Sequence, residues 1–247
     1  LGTAYHGWQI QPGVPTIQGV LQEKLATILR QPVVAAGAAR TDAGVHALGQ
    51  VASLMVRSEL DPGRLRRSMN SVLPEDVSIR SVEIVGDAFH ARHSARGRIY
   101  RYQIAQGEYL SPFLRGFAAY CRTQLDVEAM SAAAGKLVGR KDFSSFKAAG
   151  DVSDSPIKEI RRSSIERAGD QQELIVYTVE ASSFLQHMVR NIAGTLIEVG
   201  RGRIDPEQIE SLLEARDRRV AGPTAPASGL CLMKVLYPDL APDRSGW

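Results

Sequence analysis

The densest run of chemically capable side chains is Arg40-Thr41-Asp42-Ala43-Gly44-Val45-His46, flanked by Ala39 and Ala47. It brings a cation, a hydroxyl, a carboxylate and an imidazole into one short loop, with Gly44 free to make a turn that other residues resist. The run leads into an apolar stretch at Gln50 that reads as a strand, so its side chains are expected beside a rigid element. There Asp42 has the chemistry of a carboxylate nucleophile or base, and Arg40 is placed to hold an anionic substrate. The same spacing also occurs in solvated turns, where an aspartate caps a backbone amide. Spacing alone leaves both readings open.

Two further groups qualify. In Arg98-Ile99-Tyr100-Arg101-Tyr102, strand geometry puts Tyr100 and Tyr102 on one face and Ile99 and Arg101 on the other. Tyrosines between arginines suit base stacking with phosphate contacts, although half-buried strands are rich in tyrosine for packing reasons too. In His187-Met188-Val189-Arg190-Asn191, Arg190 lies at the edge of a long apolar stripe. It either snorkels to water or faces a buried carboxylate that needs a cation to stay ionised. The five histidines show no metal-ligand spacing, so no metal site is expected. P-loop, GxGxxG and GxSxG patterns are absent, which removes the usual support for nucleotide hydrolysis, dehydrogenation and serine-hydrolase chemistry.

The elements that must position these groups follow from periodicity. Thr16 to Arg30 reads as a helix with Ile17, Val20, Leu21, Leu25 and Ile28 on one face, ended by Gln31-Pro32. Gln50 to Val56 reads as a strand. Pro62 to Val72 reads as a helix with Leu65, Met69 and Val72 inward and Arg64 and Arg67 elsewhere on it. Val77, Ile79 and Ile84 fall in a further strand region, and Arg98 to Ala105 in another. Asp126 caps a helix carrying Met130, Ala134 and Leu137. Leu174 to Ala181 is a strand, Leu185 to Val199 an apolar helix stopped by Gly200, Asp205-Pro206 a helix start, and Leu230 to Tyr237 a closing strand. Strands in series with interspersed helices favour α+β with a largely antiparallel sheet. The pattern breaks near Ser94 to Arg98, dividing the chain into residues 1–95 and 96–247.

The 247 residues are 44% apolar and 23% charged, which is globular composition. Of the 30 basic residues 24 are Arg, the side chain that grips phosphates bidentately, so an anionic partner is plausible. Cys121 and Cys231 are too few and too far apart for a disulfide framework or a CxxC site, and a reduced, cytoplasmic protein is expected. No apolar run approaches the roughly 20 residues of a membrane span. The opening Leu1-Gly2-Thr3 reads as though a strand should precede it.

Taken in order, Gly2-Thr3, Gly7-Trp8-Gln9, Thr16 to Leu21, Arg40 to Ala47, Asn70 with Leu73-Pro74, Phe89 to Arg92, Tyr100 to Tyr102, Asp142 to Phe146, Phe184 to Gly200 and Gly229-Leu230 resemble the tRNA pseudouridine synthase A family. Arg40 to Ala47 is the most specific match. The resemblance implies two α/β domains with mainly antiparallel sheets and an active-site cleft between them. It implies a cofactor-independent enzyme that isomerises uridine to pseudouridine in the anticodon stem-loop of tRNA, at nucleotides 38, 39 and 40, as a homodimer. By resemblance Asp42 is the nucleophile, Arg190 its ion-pair partner, and Tyr100 the residue that stacks on the base. Arg40 and His46 are then substrate-binding, with Arg64, Arg67 and Arg92 as contacts to the tRNA body. Ala39 stands where the family usually has Gly, and Leu1 where an aspartate is usual. The competing reading is a non-catalytic tRNA-binding or folding protein, which would not need Asp42. A carboxylate-based nucleoside hydrolase would need a second acid, and the Arg40 to Ala47 loop has none.

Overall fold

The computed structural model describes residues 1–57, 60–150, 155–168 and 174–238, and the chain divides into two compact units. The first comprises Leu1–Arg96 and the residues from Val235; the second is Gly97–Lys234.

In the first unit, the buried hydroxyl of Thr16 accepts from the Gly19 amide and starts α1 (Ile17–Leu29), and Arg30 in the left-handed region (φ 51°) ends it. β1 (Ala36–Gly37), β2 (His46–Ala47) and β3 (Ala52–Ser53) follow, and β1 pairs antiparallel with β3. Asp61 then caps α2 (Pro62–Val72) by accepting from the Gly63 and Arg64 amides, with proline at the first turn. Leu65 and Met69 of α2 join Trp8, Leu21, Leu25 and Val33 in one apolar cluster, so the two helices bury their stripes on each other.

Three expectations fail in this unit. Of the expected Gln50 to Val56 strand only Ala52–Ser53 is regular, with the Val51 carbonyl accepting from the Ala38 amide (2.8 Å) beside it. No strand forms across Val77 to Ile84. Val77 and Ile79 still pack on the helix cluster, but the backbone partner is a side chain. The Ile79 amide donates to Asn70 Oδ1 (2.7 Å), and Asn70 Nδ2 donates to the Ile79 carbonyl (2.9 Å). An asparagine on α2 thus supplies the two bonds that a neighbouring strand would have made, and Ile84 lies outside, 73% exposed. Val72 is also outside, 46% exposed, because the helix runs past the cluster it packs on.

The second unit is built on β4 (Gly97–Gln106), β5 (Ala119–Cys121), α3 (Val127–Gly135), β6 (Gly139–Asp142), β7 (Ile157–Ala168), β8 (Leu174–Ala181), α4 (Met188–Gly200), α5 (Ile209–Ala215) and β9 (Leu230–Leu236). Strands β9, β4, β8, β7 and β6 lie side by side in that order, and β5 joins β4. Pairing is antiparallel for β4–β8, β8–β7 and β7–β6, and parallel for β4–β5. The expected α+β architecture with mainly antiparallel strands is therefore what the chain adopts. Tyr102 faces Tyr177 and Tyr100 faces Val179 across the β4–β8 ladder. Helix α3 packs on β7 and α4, and α4 packs on β4. Every residue of α4 except Arg190 is buried.

Buried helices tolerate close neighbours only where side chains are absent. A Cβ on Gly194 would lie 1.7 Å from the Pro223 carbonyl oxygen, so the loop after α5 rests directly on the α4 backbone. Gly194→Ala should lower stability by about 1–3 kcal/mol. Gly135→Ala, at the end of α3 with nothing within 4 Å of the new methyl, should be neutral or slightly stabilising. Denaturant midpoints of the two variants check this contrast.

Glu198 is the buried charge of α4. Burial pushes its carboxyl up, but hydrogen bonds from Arg203 (2.9 Å) and Arg201 (2.6 Å) outweigh it and hold the group below the usual glutamate value. A depressed folded-state pKa contributes stability above the unfolded value of about 4.3, and that contribution is lost as pH falls through the folded value. Glu198→Gln should therefore be less stable than the parent protein at pH 7, and the gap should narrow toward pH 3 in chemical denaturation.

Candidate active site

The Arg40 to Ala47 loop runs from β1 toward β3, and main-chain bonds fix it. The Asp42 carbonyl accepts from the Val45 amide (3.1 Å), closing a tight turn in which Gly44 takes φ 77°, the conformation that a type II turn demands of its third residue. The segment before α1 then braces the turn. Trp8 N donates to Thr41 O (3.0 Å), and Gly44 N donates to Tyr5 O (3.2 Å). Tyr5 is itself anchored through its hydroxyl, which donates to Asp76 Oδ1 (2.7 Å). Burial and that hydrogen bond push its phenol up to about 12, so it remains a donor at neutral pH. On the other flank Gln50 brackets Ala39, accepting from its amide (3.2 Å) and donating to its carbonyl (2.8 Å). Asp42 and Thr41 are half-buried and Arg40 is exposed.

His46, expected among the substrate-binding groups, is buried, and its Nδ1 accepts from the Gly2 amide (3.1 Å). In the neutral ring this places the proton on Nε2, and half of the imidazole is committed to holding the chain. Arg64 and Arg67 lie exposed on α2, and Arg92 is exposed in the turn after Ala91.

Within the second unit, Tyr100 lies inward on β4 with Tyr102 and Ile104. Its ring meets Phe184 edge-on, with centroids 5.1 Å apart and planes at 88°, a favoured aromatic geometry. Arg190 sits in the first turn of α4, which the chain enters through His187 in the left-handed region (φ 60°), a conformation uncommon for a non-glycine residue. Arg190 Nε donates to the Ala225 carbonyl (2.9 Å), and the Ala225 amide donates to the Arg190 carbonyl (3.1 Å). That loop is pinned in turn. Tyr102 Oη donates to Pro226 O (2.8 Å), and burial holds this phenol well above its ordinary value, with the Arg190 charge acting the opposite way. Asn191 Oδ1 accepts from Thr224 (2.6 Å) and Arg218 (3.1 Å), and Thr195 Oγ1 accepts from Gly222 N (2.9 Å).

The structure thus collects Arg40, Asp42 and His46 on one loop, and Tyr100 and Arg190 in the other unit. Sequence reasoning gave no supporting role to Gln50, Asn191, Phe184, Arg218 or Thr224, and it placed Tyr102 on the Tyr100 face without its bond to Pro226. Asn191 had a signal: an amide side chain inside an apolar helix needs a buried partner. Among the described residues no group of three or more His, Cys, Asp or Glu is arranged to hold a metal, and no helix is long and apolar enough to cross a membrane.

Residues 1–94 and 133–238 match a family described as tRNA pseudouridine synthase. A tRNA pseudouridine synthase A of Myxococcus xanthus is 42% identical over 244 residues, covering 99% of this chain and 91% of that protein. The protein of that name from Moorella thermoacetica is 44% identical over 241 residues, 96% of each chain. That from Thermoanaerobacter sp. strain X514 is 40% identical over 236 residues, again 96% of each.

If main-chain bonds aim Asp42, disturbing them at a distance must loosen the turn. A Cβ on Gly7 would lie 2.5 Å from Thr41 O, at φ 88°. Gly7→Ala should speed hydrogen exchange at the Gly44 and Val45 amides by about tenfold or more, an opening cost lowered by roughly 1.4 kcal/mol. Gly13→Ala, with φ 75° but nothing within 4 Å, should leave those amides unchanged.

Proposed function

Since the chain belongs to the tRNA pseudouridine synthase family, we propose that it isomerises uridine to pseudouridine in the anticodon stem-loop of tRNA, with Asp42 as nucleophile. The near-full-length similarity carries this reading, and the bracing of an intact Arg40 to Ala47 loop supports it. The reaction breaks the N1–C1′ bond, turns the uracil and rejoins it through C5. Atoms and electrons are conserved within the nucleoside. A carboxylate serves either by adding to C6 or by capturing C1′ as the base leaves. In both cases it must be ionised in a site dry enough to hold a base, and desolvation opposes that. We assign Arg190 to offset the penalty: its position is fixed by the Ala225 carbonyl through Nε, independently of substrate.

The target base starts stacked in the RNA arm, and extruding it costs a few kcal/mol. Tyr100 is assigned to recover about 1–3 kcal/mol by stacking, its ring oriented by the perpendicular contact with Phe184. Arg40 holds the flipped nucleotide's place. Arg64, Arg67 and Arg92, all exposed, contact phosphates of the tRNA body. The reading extends to a homodimer acting in the cytoplasm, with residues 1–95 supplying the aspartate loop and residues 96–247 the tyrosine strand and the arginine helix.

Unmodified tRNA tritiated at uracil C5 should release tritium to water when incubated with the protein, and mapping should place the product in the anticodon arm. Release of free uracil, or no release, contradicts the proposal. Arg190→Met should cut turnover by about a hundredfold or more while tRNA affinity changes by less than about threefold. Tyr100→Leu should lose the stacking contribution, about tenfold in kcat/KM. Tyr100→Phe keeps the ring, so any loss it shows measures the hydroxyl alone.

A further inference from the structure

At the opposite end of α4 from Arg190, about 16 Å along the helix at 1.5 Å per residue, a cleft of about 340 Å³ is lined by Arg122, Thr123, Gln124, Arg201 and Arg203. Three arginines line it, and two of them share one carboxylate. Glu198 takes Arg201 on Oε1 (2.6 Å) and Arg203 on Oε2 (2.9 Å), so both of its oxygens face arginines and the pair is held in a fixed relation. Arg201 is braced further by Cys121 Sγ (3.5 Å). Arg122 makes no ion pair among the described residues, and the Arg203 side chain is 67% exposed. A guanidinium has five N–H donors, so one carboxylate leaves most of those in the cleft unspent. The lining therefore carries surplus positive charge, with Thr123 and Gln124 adding neutral donors.

The local backbone occupies the carbonyls that would oppose an anion. A helix C-terminus presents carbonyls and the negative end of its dipole. Here the Arg201, Gly202 and Arg203 amides bond the carbonyls of Ile197 (3.0 Å), Val199 (2.8 Å) and Glu198 (2.9 Å), and Asp126 N bonds that of Gly200 (2.9 Å). Gly202 at φ 70° makes this reversal and puts Arg201 and Arg203 on either side of Glu198.

We propose that this cleft is a second binding site, for a phosphate group. Resting on the isomerase reading, its occupant is a backbone phosphodiester of the tRNA body, gripped bidentately as arginine does best. Free phosphate shares that chemistry and is the other source.

The test measures tRNA affinity against salt for Asp42→Asn protein, which keeps chemistry out of the binding step, with and without Arg122→Gln plus Arg203→Gln. The double change should weaken binding about tenfold near 0.1 M salt and reduce the slope of log K against log salt by about one. Arg122→Glu, which disturbs no ion pair among the described residues, should do at least as much. In a second arm, inorganic phosphate should raise the melting temperature of the wild-type chain above a chloride control of equal ionic strength, and should not do so for the double variant. A phosphate effect without a slope change supports the site with free phosphate as occupant. An unchanged slope together with no phosphate effect overturns the proposal. Tritium release by the wild-type chain tests the isomerase reading separately, so either failure is recognised on its own.

Discussion

Main-chain hydrogen bonds are what fix the backbone at Asp42, and the proposed role of its carboxylate depends on them. The turn closes from Asp42 O to Val45 N, and residues on the approach to α1 brace it at Thr41 and Gly44. That approach is itself tied down, since Ile17 N and Gln18 N bond the carbonyls of Gly7 and Trp8 while Trp8 sits in the α1–α2 apolar cluster. Hydrophobic burial, which has no direction, is thereby converted into the position of one loop. The length of regular sheet in this unit matters less than these braces.

In the second unit, buried structure holds a cation in place. Helix α4 is buried along its length except at Arg190, and the loop through Gly222 and Ala225 approaches so closely that only glycine fits at 194. That loop reaches Arg190 through a carbonyl, and Asn191, Thr195 and Tyr102 hold it through side chains. Placement of the guanidinium is thus distributed over several buried hydrogen bonds. Removing any one leaves a polar group unsatisfied, at about 1–3 kcal/mol.

Much of this is legible in the amino-acid sequence. The Pro62 to Val72 helix and the Leu174 to Ala181 strand appear with the bounds their capping and periodicity suggest, because each is announced by local chemistry and buries a regular stripe. The Tyr100 and Tyr102 face emerged from period-two alternation in the same way. One miss comes from backbone pairing met by a side chain. Val77 to Ile79 has a strand's alternation, yet Asn70 replaces the partner strand. Conversely β7, with Lys158, Glu159, Arg161 and Arg162 among its first residues, shows little alternation, and its pairing with β6 and β8 holds it. Within the candidate site, reactive residue types stand out in sequence, while Gln50, Asn191 and Thr224 are common polar residues whose importance exists only through contacts distant in the chain.

The account depends on Asp42 reacting as a carboxylate, and the direct measurement is single-turnover tritium release from C5-labelled tRNA by Asp42→Asn, with enzyme in excess and tRNA binding measured alongside. The amide matches the carboxylate in shape but is a poor nucleophile. The account predicts release slowed by about a thousandfold or more with tRNA affinity within about threefold of the parent. Release within tenfold of the parent rate would contradict it.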